Sequence, residues 1–333
     1  MVRVSLRWLV VLWGVLLLGG GASVADDKMP SASPEALRAV VQLRVSVPAE
    51  ARSAATLGRE RKGNGVVIDS AGLIVTIGYL ILEASSIDVV VDGGKPVAAA
   101  AVGYDHETGF GLVRASQPLG VKPLPLGSSG RAAQRSAAIA AAHGGVDEAQ
   151  PVLIVSKRRF AGYWEYMLDE AIFTSPPIAE FGGAALIDPD GRLIGIGSLF
   201  VGDALPEPRY PGNMFVPIDL LKPVMADLMA LGRSSNAPRP WLGITTQEAH
   251  GRLFIAKVTP EGPAEKAGLR AGDIVLSIGD TPVESLPELY GAIWGLGSAG
   301  IEVPVTVLRR ADKERITVKS IDRLQFLKTG ITY

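Results

Sequence analysis

Short apolar runs, broken at regular intervals by glycine, proline and aspartate, dominate the chain from about residue 35 to residue 231. Val66-Val67-Ile68-Asp69, Leu73-Ile74-Val75-Thr76 and Leu193-Ile194-Gly195-Ile196 are typical, as is Ile87-Asp88-Val89-Val90-Val91 before the turn Asp92-Gly93-Gly94. Many short runs at this spacing predict an all-β barrel or sandwich. The period changes after Pro217. Ile218, Leu221, Met225, Leu228 and Met229 fall near helical spacing, which predicts a helix over 217–231. Arg233-Ser234-Ser235-Asn236-Ala237-Pro238-Arg239-Pro240 has the composition of a linker, 233–240. A second compact unit is expected over 241–323. Its one clear helix starts at Ser285-Leu286-Pro287-Glu288, a capping box with proline in the first turn. Leu286, Leu289, Ile293 and Leu296 then share one face. Residues 324–333 form a tail with no element assigned.

The N-terminus has a different pattern. Arg3 and Arg7 precede the apolar stretch 8–18, then three glycines and Ala22-Ser23-Val24-Ala25. A basic start, a short apolar segment and small residues before a polar stretch predict a secretory signal over 1–25, cut after Ala25. The apolar stretch is short of the roughly twenty residues that cross a bilayer. Export, to the periplasm, is the expectation.

At 333 residues the chain has room for two or three compact units. Its 33 basic and 34 acidic residues give a net charge of −1 with no basic stripe, so nucleic acid is not expected as a partner. Cysteine is absent, which excludes thiol nucleophiles, disulfides and cysteine metal sites. Only His106, His143 and His250 are available as imidazole ligands, far apart in sequence, so neither a metal nor another cofactor is expected.

Three short segments then carry a resemblance. Lys62-Gly63-Asn64-Gly65-Val66-Val67-Ile68-Asp69, followed by Gly72-Leu73-Ile74-Val75-Thr76, resembles the opening of HtrA/Deg-type serine proteases. In that family the strand ends Thr-x-x-His-Val, which puts the general base at Tyr79. The family's Asp-x-x-Thr-Asp-x-Ala-Leu motif matches Asp105 to Leu112, with its second aspartate at Gly109. Its Gly-Asn-Ser-Gly-Gly-Pro motif matches Glu180 to Ala185. Anchoring on Asp188-Pro189-Asp190-Gly191 puts the serine at Gly182, and a slip of one residue puts it at Phe181 or Gly183. The resemblance implies a chymotrypsin-like double β-barrel over 35–232.

The chemistry of that reaction needs a serine oxygen, an imidazole to take its proton and a carboxylate to orient the imidazole. Tyrosine, with a pKa near 10, is no base at neutral pH. Glycine at 109 and 182 offers neither carboxylate nor oxygen. Losing the triad costs about a million-fold in rate. His106 and His143 read as loop histidines, Asp105 and Glu107 as solvated loop acids, and Thr174 and Ser175 as hydroxyls without an identifiable base. Gly182-Gly183 could still present N–H groups to a carbonyl, and the edge near 193–199 could still pair with an extended peptide.

The run from Glu261-Gly262-Pro263-Ala264 through Ala271-Gly272-Asp273-Ile274 to Pro282-Val283 resembles the PDZ domains attached to HtrA-type proteases. The whole is thus expected to be mainly β: a chymotrypsin-like double β-barrel followed by a small α+β PDZ domain. Such modules cradle a C-terminal carboxylate with backbone N–H groups and pair the ligand with a strand. The resemblance puts that loop at Trp241-Leu242-Gly243-Ile244, the strand onward through Thr245, and pocket residues at Leu289 and Ile293. The implied partners are polypeptides with hydrophobic C-termini or unfolded segments, or an active protease that the protein modulates. Homo-oligomer formation stays open. Relatives often assemble through aromatic residues near the mature N-terminus, and 26–40 contains none. The expected function is that of an exported pseudoprotease acting as a regulator, chaperone or scaffold; the alternative is an active serine endopeptidase.

Overall fold

The computed structural model describes residues 32–327, so the predicted export signal, its cleavage point and the tail beyond Leu327 lie outside the described residues. Six strands close a first barrel: β1 (Val40–Ser46), β2 (Glu60–Val67), β3 (Leu73–Ile77), β4 (Ser86–Val90), β5 (Val97–Tyr104) and β6 (Phe110–Ala115), in the order β1-β2-β3-β6-β5-β4. Six more close a second: β7 (Ala137–Ala141), β8 (Ala149–Gly162), β9 (Tyr166–Ser175), β10 (Ala185–Ile187), β11 (Leu193–Leu205) and β12 (Tyr210–Pro217), in the order β10-β11-β12-β9-β8-β7. The apolar runs of the sequence supply parts of β2, β3, β4 and β11. Closure leaves neither barrel with a free edge along its full length, which is how antiparallel sheets of this kind avoid edge pairing.

Alternation puts one face of each strand inside. Leu43, Ile74, Phe110 and Leu112 fill the first barrel, and Ile154, Ile172, Leu186 and Phe215 the second, each with no more than trace exposure. Burying each such side chain contributes about 1.5–3 kcal/mol.

The helix predicted over 217–231 is shorter than its periodicity suggested. A single 3-10 turn covers Ile218–Leu220, and the α-helix runs Met225–Leu231. Pro223 is the reason. It has no N–H to donate, and it disfavours the helical conformation at Lys222. The helix ends at Gly232 in the left-handed conformation, φ 71°.

The third unit is a sheet in the order β13-β14-β15-β17-β18, formed by β13 (Ile244–Ala249), β14 (Arg252–Val258), β15 (Ile274–Ile278), β17 (Glu302–Arg309) and β18 (Asp312–Lys319), with β16 (Thr281–Pro282) beside β15. The predicted capping box is present: the Ser285 hydroxyl accepts from the Glu288 N–H, and the helix runs Leu286–Gly295. Inside this unit, Arg309 grips the buried Asp273 with two guanidinium nitrogens, each at 2.8 Å.

The third unit is packed onto the barrels. Arg239 pairs with Glu107 at 3.1 Å and lies over the Trp294 ring, and Arg233 pairs with Asp322 at 2.7 Å. The tail, unassigned from sequence, begins with a short helix, Arg323–Phe326. Phe326 packs against Trp241, and the Arg52 guanidinium covers the Phe326 ring. Ala161 and Met167, from the facing ends of β8 and β9, pack directly against the core of the third unit.

Candidate functional site: the cleft between the barrels and the groove of the third unit

The register of β3 against β6 pairs Ile77 with Phe110, which sets the turn Gly78–Leu80 beside the loop 105–109. The Gly78 N–H donates to the Gly109 carbonyl at 2.7 Å. Tyr79 therefore projects from the end of β3, toward the second barrel. Its hydroxyl donates to the Ser198 carbonyl of β11 at 3.0 Å. Burial pushes that hydroxyl above the usual tyrosine range, so it stays a neutral donor.

Gly182 faces it. A Cβ built at Gly182 would lie 2.9 Å from the Tyr79 hydroxyl oxygen, whereas one at Gly183 would collide with the Asn64 carbonyl at 1.9 Å. Of the two glycines, 182 is the one whose side-chain position opens on Tyr79. The surrounding turn is held by Asn64, whose N–H donates to the Gly182 carbonyl at 2.8 Å and whose side-chain amide donates to the carbonyls of Glu180 and Gly182. The Gly183 N–H, a candidate donor from the sequence, is already given to the Gly197 carbonyl at 2.8 Å. β10 pairs with Leu193, Gly195 and Ile196, so that stretch of β11 has no free edge for an added strand. Its far side is paired with β12.

Position 109 is closed as well. Gly109 has φ 84°, and a Cβ there would lie 3.1 Å from the Tyr166 hydroxyl. Tyr166 reaches over from β9 and donates to the Thr108 carbonyl at 2.7 Å. Two tyrosines thus stand at Tyr79 and before Gly109. Neither is a base, and each is committed to a backbone carbonyl.

The groove of the third unit is organised around a group that sequence reasoning missed. β13 is one edge strand of its sheet, and the helix Leu286–Gly295 is the opposite wall. The hairpin joining β8 to β9 reaches into this groove. The Glu165 carboxylate accepts from the N–H of Leu242 at 2.8 Å, of Gly243 at 2.8 Å and of Ile244 at 3.0 Å. The Thr246 N–H donates to the Tyr163 carbonyl at 2.9 Å, and the Tyr290 hydroxyl donates to the Gly162 carbonyl at 2.6 Å while accepting from the Glu165 N–H. Burial pushes the Glu165 carboxyl up to about 7; the three N–H bonds and the Arg323 charge pull the other way.

The candidate residues of the sequence are placed as follows. Leu242, Gly243 and Ile244 lie at the bound carboxylate, with Trp241 just before them against Phe326. Thr245 is aligned with Lys257 of β14, and it is the Thr246 N–H that faces the hairpin. Alternation along an edge strand explains the offset of one residue. Leu289 and Ile293 are fully buried in the core of the unit, and Tyr290 is the helix residue that reaches the hairpin.

Comparison with known proteins agrees with both halves. The description of a trypsin-like peptidase domain matches residues 63–196, and that of a PDZ domain residues 240–320. The probable periplasmic serine endoprotease DegP-like of Halomonas elongata is 29% identical over 281 residues, 78% of this chain and 56% of that protein. The periplasmic serine endoprotease DegP of Salmonella typhimurium is 27% identical over 264 residues, 74% of this chain and 54% of that protein. Over both segments the chain is similar to HtrA/Deg-type proteases. It spans little more than half the length of those two relatives. The serine endoprotease from Yersinia pestis shares the fold, with a TM-score of 0.51 and 23% identity over 89% of this chain and 99% of that one.

The histidines of this chain have other engagements. His106 lies in a half-buried pocket, with the Tyr104 hydroxyl 3.0 Å and the Arg323 guanidinium 2.8 Å from its Nδ1. Burial, then the charges of Arg323 and Arg239, push its pKa well below the usual value, so it is neutral. Asp105 and Glu107 are not the solvated loop acids expected. Asp105 is buried and accepts from both the N–H and the hydroxyl of Thr108, and Glu107 pairs with Arg239, because the third unit covers this loop. The His143 N–H donates to the Asn64 side chain, and its ring makes no hydrogen bond at Nε2. Ser175 donates to the Pro211 carbonyl. Among the described residues, no group of three or more His, Asp or Glu side chains is arranged to hold a metal ion.

Proposed function

We propose that the protein is an exported HtrA-type pseudoprotease that binds polypeptide C-termini or unfolded segments through its PDZ domain, as a regulator, chaperone or scaffold. The observation that carries this is the cleft: Tyr79 bonded to the Ser198 carbonyl, facing Gly182. A hydrolytic site needs a base beside a nucleophile, and here a neutral phenol faces a residue with no side chain. The backbone donors of Leu242, Gly243 and Ile244, converging on one carboxylate, support recognition of a free C-terminus. The periplasmic relatives and the signal-like N-terminus support export.

The relatives are named as endoproteases, so an active enzyme is the competing reading. Fluorophosphonate labelling of the full chain, with digestion of an unfolded protein, separates the two. No labelling and no cleavage are expected. A labelled serine, mapped by mass spectrometry, would overturn the inert reading.

A further inference from the structure

The sequence of the β8–β9 hairpin contains an anomaly. Gly162 pairs with Tyr166, so Tyr163-Trp164-Glu165 is a three-residue loop. The last position of such loops commonly adopts the left-handed conformation, for which glycine is the low-cost residue. Glu165 occupies it with φ 57°. Holding a residue other than glycine there is unfavourable, and such strain persists where surrounding contacts over-determine it. The contacts are those of the PDZ groove. Glu165 is only 4% exposed, though it sits at the tip of a hairpin, where an acidic side chain would ordinarily be solvated.

The arrangement reproduces each part of a bound C-terminus. A carboxylate accepts from three successive N–H groups of the loop. A backbone carbonyl two residues before it pairs with the edge strand at Thr246. Apolar side chains beside it, Ala161 and Met167, pack against the core of the third unit. A hydroxyl of the wall helix, Tyr290, clasps both the Gly162 carbonyl and the Glu165 N–H.

We infer that Glu165 is an internal ligand of the PDZ domain, a C-terminal carboxylate mimic that closes the groove until the β8–β9 hairpin withdraws. An external chain end and Glu165 need the same three donors, so their occupancies exclude each other. The inference rests on the proposed recognition of C-termini only for its consequence; the internal contact stands apart from it. An incoming ligand sees an affinity reduced by the fraction of molecules in which the groove is open. The ligand class able to compete has a free carboxylate, an extended backbone for β13, and an apolar last residue to take the place of Met167 and Ala161.

The test uses the full chain, Glu165→Ala, and the milder Tyr290→Phe, which removes one hydroxyl and keeps the ring. Two quantities are read: hydrogen exchange at Leu242, Gly243, Ile244 and Thr246, and affinity for a peptide library with free or amidated hydrophobic C-termini. The expected result is a loss of protection at those amides of about tenfold or more in both variants, with free-carboxylate peptides binding about tenfold or more tighter than to the native chain. Unchanged exchange in two folded variants overturns the internal ligand. Equal peptide affinity in all three proteins overturns the closure while leaving C-terminus recognition standing. Exposed amides with no peptide bound by any variant sustain the internal contact and sink the proposed recognition instead.

Discussion

Replacing Gly182 by serine would place a hydroxyl-bearing side chain in the cleft, directly against Tyr79. The new Cβ would begin 2.9 Å from the phenolic oxygen, inside contact distance. Tyr79 must then shift, and its 3.0 Å bond to the Ser198 carbonyl goes with it. Overpacking of this kind costs about 1–3 kcal/mol, and the lost hydrogen bond about 1 kcal/mol. A net loss of about 2 kcal/mol lowers the melting temperature by roughly 5 °C for a domain of this size. No catalysis follows, because removing the base alone costs a serine protease nearly the whole contribution of its triad. Gly182→Ser is therefore expected to melt earlier and remain inert. Adding Tyr79→His relieves the contact and supplies the base. With no carboxylate at position 109, about two orders of magnitude in rate are recoverable, set by how much a triad loses when its acid alone is missing. Thermal unfolding, fluorophosphonate labelling and hydrolysis of a fluorogenic peptide measure all three quantities. Labelling of the single variant, or a melting temperature equal to that of the native chain, would refute the reading of Tyr79 as the group that fills and disarms the cleft.

Three further outcomes are expected. Arg309→Met leaves the buried Asp273 carboxylate without its guanidinium partner and should destabilise the PDZ domain by about 3–5 kcal/mol, seen as earlier unfolding of that domain in calorimetry. Ser285→Ala removes the N-cap acceptor and should cost about 1 kcal/mol by denaturant titration. Glu165 gives a pH signature. Burial raises its folded pKa from 4.5 to about 7, so between those values the folded chain holds a proton that the unfolded chain has released. The stability associated with that proton is complete below about pH 4.5 and is lost as pH rises through 7, roughly 3 kcal/mol at the full shift. The stability difference between the native chain and Glu165→Ala should therefore shrink from pH 5 to pH 8 in urea titrations. A difference that grows over that range would contradict it.

Much of this was written along the chain. Short continuous apolar runs bounded by glycine and aspartate turns specified strands, because four to eight apolar residues between turns suit a buried strand and are too short for a buried helix. The proposed loss of the triad rests on a simpler reason: the chemistry needs particular atoms, and tyrosine and glycine do not carry them. The capping box at Ser285 was equally local. Apolar spacing over 217–231 predicts one helix where Pro223 interrupts it, since spacing alone does not record the missing N–H.

What only the tertiary structure decided concerns which distant groups meet. That Gly182 and not Gly183 opens on Tyr79 depends on the direction of a side chain that is not there, set by the Asn64 backbone packed behind the turn. Thr246 rather than Thr245 faces the groove because the pairing of β13 with β14 selects which N–H groups point outward. Tyr166 before Gly109 and Glu165 in the PDZ loop come from one hairpin, and Glu165 lies 77 residues from the first amide it binds. Tyr163-Trp164-Glu165-Tyr166, an acid among three aromatic rings at a hairpin tip, was the one local hint. Periodicity reports how a segment divides itself between water and core. It carries no information about which remote acceptor will satisfy a buried donor, because that pairing exists only once packing has excluded water from both.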